Sequence, residues 1–361
     1  MPRTDYNTLI RFNMKALKKV VANIDGADVL LVELCADNGT KVSLTNIGAT
    51  ITSIIVPDKD GKLGEVVLGF DDPMMYLDKK YLDCGYFFGA TVGRYANRIG
   101  KGHFTIDNKS YQLEINNGPN HLHGGTGSFN TKLWNASTFE SNDRAGVSMS
   151  YVSPNMENGY PGQLSVTVVF TLSNDGSLSI SYQAKTDKKT IINLTNHSYF
   201  NLGGTGDILD TKVKMKASRY TPKDDTNIPT GEVESVEGTA LDFLVPHTIG
   251  ARIMQYEDGY DHNLVIDGVS GELRLAATAV DERSGRQLDF LTTEPGFQFY
   301  TAYYLGGEFK RGDLEAKRFA AFCFEAQHYP DSPNKKAFPS VLLSPGETYS
   351  QTTVYKFSIA K

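Results

Sequence analysis

The sequence predicts an all-β fold in a single domain, and three observations carry that prediction. Short segments rich in β-branched residues alternate between apolar and polar positions along most of the chain. Turn residues interrupt them every ~8–12 residues, the spacing of a sandwich or barrel. Helical periodicity is scarce, while 34 glycines, 19 tyrosines and 19 phenylalanines suit a turn-rich, strand-rich chain.

The strands are expected as follows. Residues 41–56 (KVSLTNIGATITSIIV), 146–152 (GVSMSYV) and 164–172 (LSVTVVFTL) alternate. The run 177–184 follows a turn signal at Asn174-Asp175-Gly176. Later strands are expected at 211–217, 272–279, 287–293, 297–303, 319–328 and 352–359. The best helical candidate is 9–21, LIRFNMKALKKVV, which lies outside the main pattern. No repeat, low-complexity tract or Pro/Ser-rich linker marks a boundary. Residues 26–361 are therefore read as one domain, and residues 1–25, which carry none of the motifs described below, as an N-terminal extension without assigned function.

Composition excludes several classes. A chain of 361 residues, 40% hydrophobic and 22% charged, is ordinary globular material. Its net charge of −6 argues against a nucleic-acid partner, which calls for clustered Lys and Arg. Cys35, Cys84 and Cys323 lie far apart with no C-x-x-C pair. That spacing disfavours a zinc knuckle, a dithiol redox site and a disulfide framework, and fits a reducing compartment. No apolar run reaches the ~18 residues of a membrane span, and the N-terminal segment lacks the apolar stretch of a signal peptide. A cytoplasmic protein is expected, or a periplasmic one if a leader once preceded this sequence.

Five segments could carry chemistry. In 192–202, INLTNHSYFNL, a strand would put Asn193, Thr195, His197, Tyr199 and Asn201 on one face and Ile192, Leu194, Phe200 and Leu202 on the other. A polar face is often only solvated. This one has no Lys, Glu or Asp, and His, Tyr and Asn together grip hydroxyls well. In 319–329, FAAFCFEAQHY, Glu325 sits mid-strand between apolar neighbours. It is either exposed or partly desolvated, and desolvation would raise its pKa toward the range of a general base.

The loop 117–130, NGPNHLHGGTGSFN, holds His121 and His123, which would face one way if extended. A zinc reading lacks a third local ligand, so hydrogen-bonding roles are preferred. Gly124-Gly125 would let a bulky ligand approach the backbone. The segment 91–102, TVGRYANRIGKG, fails as a phosphate loop, because six residues separate Gly93 from Gly100-Lys101 and Gly102 follows. Arg94 and Arg98 remain candidate donors or mere surface charges. Finally, Asp261 in GYDHNLVI stands at a strand start, where it is either a turn-former or an acceptor for ligand hydroxyls.

Taken in order, GRYANRIGKGHF, NHLHGG, INLTNHSYFNL, YDHNLVI, PGFQFYT, FEAQHYPDSPN and LSPGETYSQTTVYKF resemble the aldose 1-epimerase family from about residue 30 to the C-terminus. The resemblance implies a β-supersandwich of mostly antiparallel strands with a sugar cleft on one sheet. It implies that Glu325 is the general base and His197 the general acid. His123 falls on a second active-site histidine, and Asn97, Arg98, Tyr199, Asp261 and Gln298 fall on sugar-binding positions. No cofactor and no metal are implied. The expected partner is a free monosaccharide, an aldohexose or aldopentose, bound by a monomer or weak homodimer. A non-catalytic sugar-binding protein and a hexose-phosphate mutarotase are the rival readings. Catalysis would use an ionised Glu325 and a protonated His197, which ordinary values of about 4.3 and 6.5 already approach.

Overall fold

The computed structural model describes residues 14–360. Alternation in the sequence becomes one-sided burial in the long strands. Leu164, Val166, Val168, Phe170 and Leu172 are buried along Leu164–Ser173, and Leu178, Ile180, Tyr182 and Ala184 along Ser177–Thr186. Both strands belong to a nine-stranded sheet. Its spatial order is Asn135–Glu140, Arg144–Ser153, Leu164–Ser173, Ser177–Thr186, Tyr349–Ile359, Arg286–Thr292, Arg274–Val280, Lys212–Met215 and His247–Thr248. Every neighbouring pair in it is antiparallel.

Two five-stranded sheets share a core with it. One is built from consecutive strands, Lys15–Ile24, Ala27–Cys35, Lys41–Thr45, Thr50–Pro57 and Leu63–Glu65. The other runs Glu234–Ser235, Arg219–Tyr220, Asp261–Val265, Gly296–Tyr300 and Cys323–Gln327. A single apolar cluster draws Val32 and Ile54 from the first, Phe297 and Phe324 from the second, and Val168 and Phe290 from the large sheet. Phe290 stacks on Phe324 with ring centroids 5.2 Å apart, which clamps the last strand of the smaller sheet to the large one. Fully burying a side chain of this size contributes about 1.5–3 kcal/mol. The all-β class and layered architecture are those expected.

Three local expectations need correction. Residues 15–21 of the expected helix lie in the strand Lys15–Ile24, paired antiparallel with Ala27–Cys35 across the Asp25-Gly26 turn; residues 9–13 lie outside the described residues. Leu17 and Val20 have helical spacing but are 54% and 53% exposed, so no core face rewards a helix there. Pairing with the next strand decides the conformation instead, and a lysine-bearing strand suits a sheet edge. Residues 41–56 form a hairpin, not one strand: Lys41–Thr45 pairs with Thr50–Pro57. The chain turns at Gly48, where a Cβ would lie 2.4 Å from the carbonyl oxygen of Asn130.

The run 192–202 is extended but carries only Thr195–Asn196 as a ladder, against Thr91–Val92. Among the described residues the one α-helix is Lys79–Cys84. Asp78 caps it by accepting from the backbone N–H groups of Lys80 and Tyr81, and Gly85 ends it in the left-handed region. Its end forms part of the rim of the cleft described next.

Candidate active site

The Cys323–Gln327 strand faces two ways. Phe324 and Ala326 enter the core, so Cys323, Glu325 and Gln327 leave on the opposite side. Glu325 thereby reaches the floor of a 360 Å³ cleft, where it is 2% exposed. His197 reaches the same floor from the 192–202 segment. Its backbone N–H donates to the Ala90 carbonyl (3.0 Å) and its carbonyl accepts from the Gly89 N–H (2.9 Å). Phe200 and Phe322 exchange backbone hydrogen bonds of 2.7 and 2.9 Å, which ties this segment to the start of the Glu325 strand. As a result His197 Nε2 lies 3.6 Å from Glu325 Oε2. That carboxylate oxygen is buried and has no hydrogen-bond partner in the protein.

The walls are polar. Tyr199 stacks on His197 at 4.9 Å and His123 meets it edge-on at 5.3 Å. The His123 backbone is left-handed (φ 52°), and its Nδ1 accepts from the Asn97 N–H at 3.2 Å. Arg98 is held at Nε by Asn117 Oδ1 (3.0 Å) and approaches Asp261 at 3.9 Å. Asp261 Oδ1 accepts from Gln298 Nε2 at 2.6 Å. Asn97, Arg98, His123, Tyr199 and Asp261 all line the cleft. Gln298 stands behind Asp261 and opposite Glu325 in the sheet register, and it is absent from the lining.

Burial sets the charges. It pushes the Glu325 carboxyl well above the ordinary range, the Asp261 charge adds to this, and Arg98 opposes it. Burial also pulls His197 down to about 4, against smaller effects of a backbone hydrogen bond and Asp261. Burial also holds His123 well below its ordinary value, and the charges of His197 and Arg98 act the same way. Burial alone would raise Asp261 too, but Lys223, Arg98, Gln298 and His262 outweigh it and hold that carboxyl below its usual value. Burial thus disfavours the charged form of both Glu325 and His197. That works against the ionised pair expected from ordinary values, because both groups are far more buried than a strand pattern could reveal.

Other expectations fall away on geometry. His121 and His123 diverge, since His121 bonds Glu114 O (2.8 Å) and Tyr160 Oη (2.7 Å) in a separate cluster. Arg94 is 2% exposed, and its guanidinium donates to Ser153, Pro154 and Pro161, so it is neither a surface charge nor a cleft donor. The Gly124 backbone meets another chain segment instead of a ligand, for a Cβ there would lie 2.1 Å from the Gly93 carbonyl. Asn193 and Asn201 spend their amides on backbone carbonyls.

His123, His197 and Glu325 offer ligand atoms within 4.8 Å of one another. The donor set fits a metal poorly: the Asn97 N–H on His123 Nδ1 leaves the proton on Nε2, a donor where a metal needs a lone pair. Sequence reasoning missed Cys323, whose thiol touches His197, and Lys223, which bonds the Asp261 carbonyl at 2.9 Å. It also missed Tyr300 and Tyr304 on the cleft wall. The signal for Cys323 was present, two residues before Glu325 on the same strand face. None pointed to Lys223.

The family model described as aldose 1-epimerase matches residues 30–356. The galactose mutarotase of Bos taurus is 45% identical over 324 residues, covering 89% of this chain and 92% of that protein. The aldose 1-epimerase of Escherichia coli K12 is 35% identical over 341 residues, covering 92% and 96%. Among solved structures, a galactose 1-epimerase from Lactobacillus acidophilus aligns with TM-score 0.85 at 28% identity, over 96% of this chain and all of that one. An aldose epimerase homologue from C. elegans aligns with TM-score 0.83 at 30% identity, over 92% and 100%. With its sandwich fold, its cleft and a match across most of its length, the chain belongs to the aldose 1-epimerase family.

Proposed function

We propose that this protein interconverts the α and β anomers of free aldoses, with Glu325 as general base and His197 as general acid. The observation that carries this reading is the unpartnered Glu325 oxygen 3.6 Å from His197 Nε2 on the cleft floor. An acid and a base that close address the two adjoining oxygens of an anomeric centre, O1 and the ring oxygen. The cleft lining includes one Lys or Arg, Arg98, among the described residues, which supports a free sugar over a sugar phosphate. Asp261 is occupied by Gln298 and faces Arg98, which disfavours it as the second carboxylate of a hydrolase.

In the reactive complex Glu325 takes the proton from the C1 hydroxyl. The O–H electron pair becomes the second bond of the carbonyl, the C1–ring-oxygen bond breaks, and the ring oxygen takes the proton held by His197. Rotation about C1–C2 exposes the other carbonyl face. The returning hydroxyl attacks it, giving its proton to His197 while Glu325 protonates the carbonyl oxygen. The pair holds one proton throughout. The neutral pair favoured by burial is the protonation state of the open-chain complex. Binding must therefore stabilise the ionised form before the ring opens, and each proton transfer contributes about 10²–10⁴-fold. His123, Arg98, Asn97, Tyr199 and Asp261 orient the ring.

The family match over 30–356 supports one catalytic domain over residues 26–361, and the edge strand Lys15–Ile24, paired with Ala27–Cys35, belongs to the same unit. A cytoplasmic setting is supported by three free thiols. Polarimetry on freshly dissolved α-glucose and α-galactose tests the proposal. Addition of the protein should accelerate the approach to the equilibrium rotation, and His197→Asn should abolish most of the effect. A rate equal to the spontaneous one would make the protein a sugar binder only.

A further inference from the structure

A short turn carries Asn227 to the cleft. Asp224 organises it: its carboxylate accepts from the backbone N–H groups of Thr226 (2.8 Å) and Ile228 (3.0 Å), and its own N–H donates to the Ile228 carbonyl at 2.9 Å. Asn227 takes a left-handed conformation (φ 64°), which asparagine tolerates better than most residues. The turn is fastened at two points. The Thr221 N–H donates to the Asn263 carbonyl at 3.1 Å, and the Thr226 carbonyl accepts from Asn120 Nδ2 at 3.0 Å. Asn263 belongs to the strand that starts at Asp261, and Asn120 to the loop in which Asn117 holds Arg98. Asn227 thereby joins Asp261 and Arg98 in the cleft lining.

Lys223, on the same turn, decides which way the Asn227 amide faces. Its Nζ donates to Asn227 Oδ1 at 2.6 Å and to the Asp261 carbonyl at 2.9 Å. An ammonium has donors only, so it can meet the oxygen of the amide and not the nitrogen. The NH2 group then points away from Lys223, and among the described residues it has no hydrogen-bond partner. Lys223 is not part of the cleft lining, so any effect it has on a bound sugar passes through its neighbours.

We propose that Asn227 is a specificity-determining residue that presents its amide NH2 to one hydroxyl of the bound sugar, with Lys223 as the positioning residue that fixes it. The inference rests on the reading of the cleft as a site for free aldoses. On this wall Arg98 and Asn227 donate while the Asp261 carboxylate accepts, so a hydroxyl finds a partner for each of its two roles. Lys223 serves the acceptor as well. Burial would raise the Asp261 carboxyl, and Lys223 is the strongest of the influences that hold it below its usual value. A sugar without the partnered hydroxyl leaves the amide unpaired, and the site discriminates against it.

The experiment takes galactose and its 2-, 3-, 4- and 6-deoxy analogues. The readout is the ratio of kcat/KM for galactose to that for each analogue, which cancels any loss common to all the sugars. Asn227→Gly removes the amide at a left-handed position where glycine is at ease. It should lower one of these ratios by about 3–10-fold and leave the others within about twofold. Lys223→Met frees the amide and should lower the same ratio. Unchanged ratios in Asn227→Gly would overturn the proposal. A Lys223→Met protein that shifts a different ratio, or none, would remove Lys223 from it. The glycine variant judges the Asn227 contact even if the methionine variant fails to fold. If the wild type does not accelerate anomerisation of galactose, the aldose reading fails by itself. The same ratios, taken from Kd values by calorimetry, then still judge the Asn227 contact.

Discussion

Replacing Glu325 by Gln should make the protein slower and more stable together. The carboxyl is 2% exposed, one oxygen has no partner, and burial holds its pKa well above the ordinary range. The sign of the linkage follows. Below the ordinary value of about 4.3 the group is protonated in folded and unfolded chains alike, and nothing is lost. As pH rises toward the raised native value, the unfolded chain releases the proton and the native protein keeps it, so stability falls. The loss is about 1.4 kcal/mol for each pH unit between the two values. Glutamine has nearly the same shape and no proton to lose, so it removes that slope. Thermal unfolding of wild type and Glu325→Gln across pH 4 to 9 should give curves that meet near the acid end and diverge as pH rises, by roughly 1–2 °C per kcal/mol in a chain of this length. In the same preparation kcat should drop by ~10²-fold or more, which is at least about 2.7 kcal/mol of activation free energy. Calorimetry should still detect sugar binding. A variant less stable than wild type at pH 8 would refute the buried, uncompensated carboxyl. A variant with near wild-type kcat would refute the general base.

The pH dependence of kcat/KM should be bell-shaped and report the shared proton of the pair. The acid limb belongs to His197 taking up a second proton, near 4 in the free protein, and the alkaline limb to loss of the proton from Glu325. An alkaline limb that survives in Glu325→Gln would contradict this order. Arg98→Ala should raise KM by ~10-fold with a smaller effect on kcat, since its guanidinium faces the cleft beside Asp261. Arg94→Ala should act on folding instead, because it removes the guanidinium donor from the Ser153 and Pro161 carbonyls and one of the two donors to the Pro154 carbonyl. A loss of about 1–3 kcal/mol in denaturant melts is expected from the buried carbonyls left short of a donor, and unchanged melts would refute that role. Exhaustive chelation should leave the rate untouched, and a loss with EDTA that zinc restores would overturn the metal-free reading.

How much of this was legible beforehand follows from what a strand pattern encodes. Period-2 alternation is local, so the strands at 164–172 and 177–184, the apolar side of Phe324 and the opposite side of Glu325 could be read directly. What alternation does not encode is the cover over each face. The polar side of 192–202 looked equally like a solvated surface, yet every residue from Thr190 to Leu202 is buried because the 89–97 segment and the Cys323–Gln327 strand close over it. Arg94 and Arg98 are four residues apart in one motif, and only the tertiary path sends one guanidinium to three carbonyls and the other to the cleft. The placement of the proton was illegible for the same reason. Ordinary pKa values assign the charge to Glu325 and His197, and burial from segments more than a hundred residues apart takes it away. The chemistry of the site thus depends on a property that no single motif carries: two titratable groups from distant segments meet on one cleft floor at 3.6 Å, where burial disfavours the charge on each.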